Sequence, residues 1–300
     1  MTATPRCPFV YSRDQLLGLR QHSHASVQHE IPAVIKRNYH GCRARKTRRL
    51  RRKRFRPALP SVMTGNVRSL VNKMEVTRTE KVFRECSVIC FTERWLHKNI
   101  PDQVVDINVF MCVRVDRDPG SSKKKRGGGL ALYVNNRWCS PSHVKVRMAV
   151  CNKHIELLAV GLRPYCLPQE FSLAIIIIVY IAPDANAAQA YDVISSATAD
   201  LLNRSPSAFV AITGDFNHTN LSTVLPTFKQ YVDCKTRDNK TLDLFYANAT
   251  ESYTSSPLPP LGRADHNLVY IQPLYRPAVQ RQPAATKMVT WTMESEETLL

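Results

Sequence analysis

The segment Ala211-Ile-Thr-Gly-Asp-Phe-Asn217 brings a carboxylate and an amide to the end of an apolar run. Side chains two residues apart in an extended strand point to the same side, so Asp215 and Asn217 are expected to converge. A carboxylate in that position can accept a proton from water, while the amide holds the water or a phosphate group. Taken alone, the pair is also typical of an Asx turn that ends a strand.

A second candidate pair, Asp265 and His266, stands directly before the apolar run Asn267-Leu-Val-Tyr-Ile271. A carboxylate beside an imidazole can orient the ring and stabilise its charged form. A charged histidine can then donate a hydrogen bond to a phosphoryl oxygen as negative charge accumulates there. The alternative for so common a dipeptide is a solvated turn.

Two further carboxylates are associated with apolar runs. Glu93 follows Ile89-Cys-Phe-Thr92 and is a candidate Mg²⁺ ligand, because hard divalent cations prefer oxygen ligands and keep several waters. An exposed glutamate after a strand is the alternative. Asp243 lies inside Thr241-Leu-Asp-Leu-Phe245, where a buried charge needs a partner or a metal ion.

These side chains, together with Asn66 and Tyr180, share one property: each lies in or at the end of a predicted strand. In two packed sheets, such strand ends can meet at one edge and form a cleft. A set of carboxylates, amides, one phenol and one imidazole suits metal-assisted hydrolysis of a phosphate ester. The sequence has neither the glycine-rich P-loop motif nor a Cys/His metal cluster.

Short apolar runs bounded by Gly, Pro, Asn or Asp predict nine strands. They lie at 61–66, 87–92, 108–114, 129–135, 155–162, 173–181, 208–214, 242–246 and 267–272. Apolar residues at helical spacing after Asn186 predict one helix whose buried face contains Ala190, Val193, Ile194, Ala197 and Leu201. A weaker helix is predicted from about Val71 to Glu85. Many strands with few helices favour two packed sheets with helices outside.

Charge divides the chain into parts. The whole chain carries +18, and residues 1–60 hold 15 Lys/Arg against two Asp/Glu. Ten of the fourteen residues from Arg43 to Arg56 are basic, and such a block repels itself and stays extended. We expect a basic, largely disordered leader over 1–60 and a folded domain over 61–275. Residues 276–300 are interpreted as a linker or the truncated start of a downstream region.

The nine cysteines show no spacing typical of a disulfide framework, which indicates a reducing compartment. No signal peptide is apparent in the first 30 residues. The most apolar run, Ala174 to Ile181, has eight residues and is too short for a bilayer span of roughly 20 residues. We expect a soluble intracellular protein with no membrane partner and no obligate protein partner.

Taken together, five ordered motifs resemble the endonuclease/exonuclease/phosphatase superfamily, and more narrowly the endonuclease domain of non-LTR (LINE-type) retrotransposon polyproteins. The motifs are Gly65-Asn-Val-Arg-Ser-Leu70, Phe91-Thr-Glu-Arg-Trp95, Val179-Tyr-Ile-Ala-Pro183, Gly214-Asp-Phe-Asn217 and Leu261-Gly-Arg-Ala-Asp-His266. The resemblance covers roughly residues 61–275. It implies a DNase I-like α/β (α+β) fold, a four-layer sandwich of two packed mixed β-sheets flanked by helices.

The resemblance also implies roles for residues at the metal and phosphate end of the site. Glu93 would be the principal Mg²⁺ ligand, with Mn²⁺ as an alternative ion, and Asn66 would lie beside it. Tyr180 would contact the scissile phosphate or the leaving group. Asp243 would support the network on the phosphate side.

The remaining implied roles concern the attack on phosphorus. Asp215 would activate the water, helped by Asn217, while Asp265 would orient His266 against the phosphate oxygens. The implied product is a nick in DNA with a free 3′-hydroxyl, which serves as primer for reverse transcription. RNA is an alternative substrate.

The chain departs from the superfamily pattern at several positions. Arg68 stands where many members of the superfamily have an acidic residue, although retroelement members share this departure. Ala264 replaces the usual Ser before Asp-His. The segment from Asn72 to Cys86 is short, and no Tyr-x-Asp-Asp polymerase motif occurs. These departures keep open a catalytically inactive remnant that binds nucleic acid. A third possibility is a phosphatase acting on inositol phosphates or lipids, but the sequence matches none of the additional motifs of that branch, and the basic leader favours nucleic acid.

Two basic clusters are predicted to bind nucleic-acid phosphates, with an affinity that falls as salt rises. One lies within the 43–56 block and the other on a loop before Gly127-Gly-Gly129. Their members are Arg51, Arg52, Lys53 and Arg54, and Lys123, Lys124, Lys125 and Arg126. The first cluster also has the composition of a nuclear localisation signal, so we expect a nuclear protein.

Overall fold

Two six-stranded sheets pack face to face in the computed structural model, which describes residues 56–97, 99–122 and 127–275. The first sheet has the order β11 (Tyr253–Pro260), β12 (Asn267–Pro273), β1 (Val62–Asn66), β2 (Val88–Thr92), β4 (Leu130–Asn135), β3 (Phe110–Val115). The second has the order β5 (Cys139–Cys151), β6 (Ile155–Pro164), β7 (Ala174–Ile181), β8 (Phe209–Asp215), β10 (Asp243–Ala247), β9 (Lys229–Gln230).

Four α-helices accompany these strands: α1 (Met74–Thr79), α2 (Lys81–Glu85), α3 (Pro119–Ser122) and α4 (Ala187–Arg204). Two 3₁₀ turns, Val71–Lys73 and Asp102–Val105, precede α1 and β3. None of the helices in the described residues is long and apolar enough to cross a membrane. The seven cysteines that the structure describes are free thiols.

Helix α4 forms where the sequence predicts it. The side chain of Asn186 caps its first turn, because its Oδ1 accepts hydrogen bonds from the amides of Ala188 and Gln189 at 3.0 and 3.3 Å. Its buried face packs on the second sheet and contains Ala190, Ile194, Ala197 and Leu201. The predicted amphipathic helix is therefore confirmed.

The predicted single helix over 71–85 is wrong. The segment is a 3₁₀ turn and two short helices, divided at Glu80, whose ψ of 131° is extended. The hydroxyls of Thr77 and Thr79 hydrogen-bond to the carbonyls of Lys73 and Glu75. Such back-bonding weakens a helix locally, and β-branched threonine is a poor helix former.

Three apolar clusters fill the spaces between four layers. The central cluster joins inward residues of both sheets, for example Val88 and Leu132 with Ile176 and Ala211. A second lies between the other face of the second sheet and α4, and a third lies between the first sheet and α1 and α2. The predicted four-layer sandwich is confirmed.

Residues just before the boundary predicted near residue 61 also pack against the folded domain. Leu59 is fully buried in the central core, and the carbonyl of Pro57 accepts a hydrogen bond from the Trp138 indole at 3.1 Å. Three of the predicted segments lie outside the described residues: the leader up to residue 55, the basic loop 123–126 and the segment 276–300.

Strand pairing brings the chemistry-bearing residues to one edge. The parallel pair β1 and β2 places Asn66 beside Thr92, the residue before Glu93. In the second sheet, parallel pairing sets Tyr180 beside Asp215, and antiparallel pairing sets Asp215 beside Asp243. Because β1, β2, β7 and β8 all end here, each sheet contributes polar residues to the same edge.

Candidate active site

A polar cleft of about 240 Å³ opens at this edge. Seven of the eight residues predicted for catalysis or metal binding line it: Asn66, Glu93, Tyr180, Asp215, Asn217, Asp265 and His266. The eighth, Asp243, lies fully buried directly behind the cleft. Four further residues complete the lining, namely Arg68, Trp95, Pro183 and Arg237.

A hydrogen bond between the two sheets fixes the central carboxylate. Asn66, at the end of β1, donates from Nδ2 to Oδ2 of Asp215, at the end of β8, over 2.9 Å. The other oxygen, Oδ1, accepts from the backbone amide of Asn217 at 3.0 Å. Both oxygens of Asp215 are thus oriented by donors, and the carboxylate is almost completely buried.

Burial, and after it the nearby carboxylate of Asp243, raise the pKa of Asp215 from its ordinary value of 3.8 to about 7. The charge of His266 and the hydrogen bonds from Asn66 and Asn217 oppose this rise. A carboxyl group with a pKa near neutrality can exchange a proton with a bound water, which is the property required of a general base.

Asp243 and His266 form a buried pair. Nδ1 of His266 lies 2.6 Å from Oδ2 of Asp243, and both side chains are at most 1% exposed. Burial alone would lower the pKa of His266, but the hydrogen bond and charge of Asp243, with the charges of Asp215 and Asp265, raise it above its usual value. The pair therefore favours the imidazolium form.

The predicted orienting role of Asp265 is wrong, because the partner of His266 is Asp243. Both residues lie in a bend before β12, where Asp265 is exposed and His266 is buried. The Asp265 carboxylate instead forms ion pairs with Arg68 at 3.5 Å and Arg237 at 3.2 Å at the mouth of the cleft.

Glu93 is held by its own loop. Its backbone has a left-handed φ of 54°, and Trp95 has a φ of 55°, a conformation that is costly for residues with large side chains. The indole Nε1 of Trp95 donates to Oε2 of Glu93. The carbonyl of Glu93 accepts from the amide of Ser69 at 2.8 Å, which ties the loop to the end of β1.

Tyr180 and Asn217 complete the floor of the cleft. Burial and the carboxylate of Glu93 raise the pKa of the Tyr180 phenol, which therefore stays protonated and able to donate a hydrogen bond. Asn217 donates from Nδ2 to the carbonyl of Ile181 at 2.6 Å, so that its amide is fixed against the end of β7.

Sequence analysis missed an ion pair behind the tyrosine. Arg117 pairs with Glu156, which stands beside Tyr180 on the neighbouring strand β6. The guanidinium lies 5.3 Å from the centre of the Tyr180 ring, and Glu156 also accepts from the amide of Gly129 at 2.6 Å. The signal was present, since Glu156 is a lone charge inside an apolar run, as Asp243 is.

The donor set fits a divalent cation. Asp215, Asp243 and His266 each place one ligand atom within 4.8 Å of the others. Oδ1 of Asp243 is buried without a hydrogen-bond partner among the described residues, and such an atom costs free energy unless something compensates it. Glu93 adds a carboxylate to the same cleft, and oxygen ligands of this kind suit Mg²⁺ or Mn²⁺.

The predicted role of Asn66 as a metal ligand competes with two protein contacts. Nδ2 donates to Asp215, and Oδ1 accepts from the amide of Arg68 at 3.1 Å. A metal ion would have to use the second lone pair of Oδ1.

The predicted nucleic-acid contacts lie outside the described residues. They are Arg51, Arg52, Lys53, Arg54, Lys123, Lys124, Lys125 and Arg126.

No protein-family model matches the chain, and no curated protein matches it in sequence. Solved structures do match its fold. The 3′ phosphatase NExo from Neisseria, solved with a product DNA hairpin, gives a TM-score of 0.51 at 12% identity, covering 72% of this chain and 100% of that one. The human Nocturnin catalytic domain, solved with a sulfate anion, gives 0.50 at 11% identity, covering 71% of this chain and 93% of that one.

An endonuclease/exonuclease/phosphatase family protein from Leptotrichia buccalis gives a TM-score of 0.50 at 12% identity, covering 72% of this chain and 100% of that one. Identities of this size establish the shared fold alone. The fold is the DNase I-like sandwich of endonuclease/exonuclease/phosphatase proteins.

Proposed function

We propose that this chain is a metal-dependent DNA endonuclease that hydrolyses a phosphodiester bond in one strand and leaves a 3′-hydroxyl. The observation that carries the proposal is the meeting of two buried pairs, Asn66 with Asp215 and Asp243 with His266, in one polar cleft. Each pair joins the two sheets. Together they place a candidate base, Asp215, beside a candidate imidazolium, His266.

In the proposed reaction, Asp215 accepts a proton from the attacking water. Its raised pKa makes it a stronger base than an ordinary carboxylate while leaving it largely ionised above neutral pH. Asn66 and the Asn217 amide hold its oxygens, so that the carboxylate does not have to reorient during proton transfer.

His266 acts on the phosphate. Asp243 occupies Nδ1, which leaves Nε2 as the nitrogen that can face the substrate from the cleft wall. As an imidazolium it donates to a phosphoryl oxygen and stabilises the charge that accumulates there. Tyr180, protonated at neutral pH, supplies a second donor for the phosphate or the departing 3′-oxygen.

Glu93 would hold the divalent cation, with the second lone pair of Asn66 Oδ1 and the carboxylates of Asp215 and Asp243 as further donors. When bound, the cation supplies Lewis-acid neutralisation of the phosphoryl and leaving oxygens. The role of Trp95 in this arrangement is to hold the Glu93 carboxylate through its indole N–H.

DNA as substrate and a retrotransposon origin are supported by the motifs and by charge. Arg68 and Arg237 line the cleft, and the basic block at 43–56 adds sequence-independent affinity for polyanions. A nick with a 3′-hydroxyl is the product that target-primed reverse transcription requires. We place the activity in a domain of residues 61–275 and in the nucleus, with RNA as the alternative polyanion.

The test is nicking of supercoiled plasmid by the full chain in Mg²⁺ or Mn²⁺. Asp215→Ala and His266→Ala are expected to reduce the rate by about 10²- to 10⁴-fold each. Exposed matched variants, Asp200→Ala in α4 and His143→Ala in β5, should nick as the wild type does. Extension of the nick by a DNA polymerase without phosphatase treatment would establish the 3′-hydroxyl.

A second candidate function is a catalytically inactive remnant that binds nucleic acid. The division of the 71–85 segment at Glu80 and the methyl group of Ala264 favour it. Folded wild-type protein that binds DNA in a salt-dependent way but never nicks it in either metal would establish this alternative and exclude the enzyme.

A further inference from the structure

Two arginines and one aspartate meet at the mouth of the cleft. Nη1 of Arg68 lies 3.5 Å from Oδ2 of Asp265, and Nη2 of Arg237 lies 3.2 Å from the same oxygen. The side chains of Arg68, Arg237 and Asp265 are 55%, 44% and 33% exposed. All three line the cleft beside the candidate catalytic residues.

Arg68 is attached to the catalytic edge by its backbone. Its amide donates to Oδ1 of Asn66, the residue that binds Asp215. Its carbonyl accepts from Nζ of the buried Lys73 at 3.0 Å, and its φ of 39° is left-handed. The next amide, of Ser69, donates to the carbonyl of Glu93 at 2.8 Å. These contacts fix the position from which the guanidinium extends.

Arg237 lies in the connection between β9 and β10 of the second sheet and is equally anchored. It starts a tight turn closed by two backbone hydrogen bonds with Lys240, at 3.1 and 2.9 Å. The preceding residue, Thr236, accepts from the amide of Asp243 through Oγ1 at 3.1 Å, and from the amide of Asn267 through its carbonyl at 2.6 Å. Arg237 is therefore positioned by residues adjacent to the Asp243–His266 pair.

Both guanidinium groups share the Asp265 carboxylate, and Arg237 has a second, long ion pair of 4.0 Å with the almost fully exposed Asp238. Exposed ion pairs are weak because water and salt screen them, so their partners exchange easily. The planar guanidinium donates in a fork that matches phosphate oxygens as well as carboxylate oxygens. A polyanion that enters the cleft can therefore take the place that Asp265 occupies.

We propose that Arg68 and Arg237 form a phosphate clamp, which binds the DNA backbone next to the scissile phosphate and is covered by Asp265 until DNA displaces it. The proposal rests on the proposed function for its ligand. The clamp gives a role to Arg68, which stands two residues after Asn66 at a position where many members of the resembled superfamily have an acidic residue. Asp265 becomes a competitor for the clamp and does not orient His266.

The test measures equilibrium binding of a short fluorescent DNA duplex by the full chain carrying Asp215→Ala, over a range of NaCl concentrations. Arg68→Ala and Arg237→Ala should each weaken binding at low salt about tenfold and reduce the slope of log K against log[NaCl] by about 1. Asp265→Asn should strengthen binding several-fold, because it removes the competing carboxylate.

Arg204→Ala is the matched control, because Arg204 is exposed at the end of α4, which starts near the cleft edge and runs to the opposite end of the sheet. Arg68→Lys should keep the salt slope and lose only part of the affinity for DNA. That result would show that position 68 tolerates substitution, so that the weaker DNA binding of Arg68→Ala is not caused by misfolding. If Arg68→Ala and Arg237→Ala both behave as Arg204→Ala does, the clamp is excluded.

The binding result and the nicking result separate the two proposals. Reduced salt slopes for Arg68→Ala and Arg237→Ala, together with a wild type that never nicks DNA, would support the clamp and exclude the endonuclease activity. Nicking by the wild type, together with unchanged salt slopes for the two variants, would support the endonuclease activity and exclude the clamp.

Discussion

Asp243 and His266 lie 23 residues apart in the chain, yet their side chains form a 2.6 Å hydrogen bond inside the protein. Strand β10 places Asp243 beside Asp215, and the entry into β12 turns His266 toward both. The base and the imidazolium of the proposed reaction therefore share one electrostatic environment, in which each stabilises the charged form of the other.

Asp243→Asn should abolish most nicking. An asparagine of the same shape cannot hold the imidazolium, so the rate at saturating DNA should fall by about 10²- to 10⁴-fold. Asp265→Asn is the matched variant, because Asp265 makes no hydrogen bond to His266. Single-turnover nicking of the two variants measures the difference, and equal losses would contradict the assignment of Asp243 as the orienting partner.

Asn66→Ala should displace the pH dependence of nicking. Folded Asp215 has a pKa raised to about 7, so it binds its proton through the acid range and nicking should rise with pH as that proton is lost. The hydrogen bond from Asn66 stabilises the charged carboxylate. Without it the acid limb of the pH–rate profile moves to higher pH, and the ratio of variant to wild-type rate increases with pH. A constant ratio would argue against Asp215 as the base.

Trp95→Phe should weaken metal binding with little effect on folding. The substitution removes the indole N–H that holds Glu93, while a half-exposed aromatic ring remains. Partners of metal ligands commonly contribute about 10- to 100-fold to metal affinity. We expect the Mg²⁺ concentration for half-maximal nicking to rise about tenfold or more. A lower maximal rate at an unchanged Mg²⁺ requirement would contradict the role of Trp95 in metal binding.

Gly214→Ala should unfold the catalytic edge. Gly214 has a φ of 139°, and a Cβ there would lie 1.9 Å from the carbonyl oxygen of Val179 on β7. Because backbone cannot move aside cheaply, we expect a loss of about 3 kcal/mol or more in the free energy of unfolding. Gly120→Ala is the control, since its Cβ would meet only the Asp118 side chain at 3.4 Å. Urea denaturation measures both, and similar midpoints would refute the steric argument.

The sequence predicted the buried strands well because their burial is nearly continuous. Every one of the nine predicted strands is present to within two residues, and β7 is buried at all eight positions. Three strands were missed, β5, β9 and β11, and all three lie at sheet edges. Proline interrupts β5 at Pro141 and β11 at Pro257, and edge strands tolerate proline and exposed polar residues.

Position relative to the apolar runs also decides which residues of the candidate site could be predicted from the sequence. Asp215, Glu93 and His266 could be found because each ends or begins an apolar run. The partner of His266 could not, because the choice between Asp243 and Asp265 depends on which strand pairs with β8. Arg237 carries no local signal at all, since an arginine on a surface turn is ordinary until tertiary structure places it beside a cleft.

Strand β1 pairs with β12, so the first and last strands in the described residues are neighbours, and His266 immediately precedes the latter. During synthesis on a ribosome, the histidine and the strand that seals the sheet emerge together, after every other catalytic residue. The candidate site therefore stays incomplete until about residue 275 has left the exit tunnel. A chain that ends upstream of Asp265 would lack both His266 and the strand that pairs with β1.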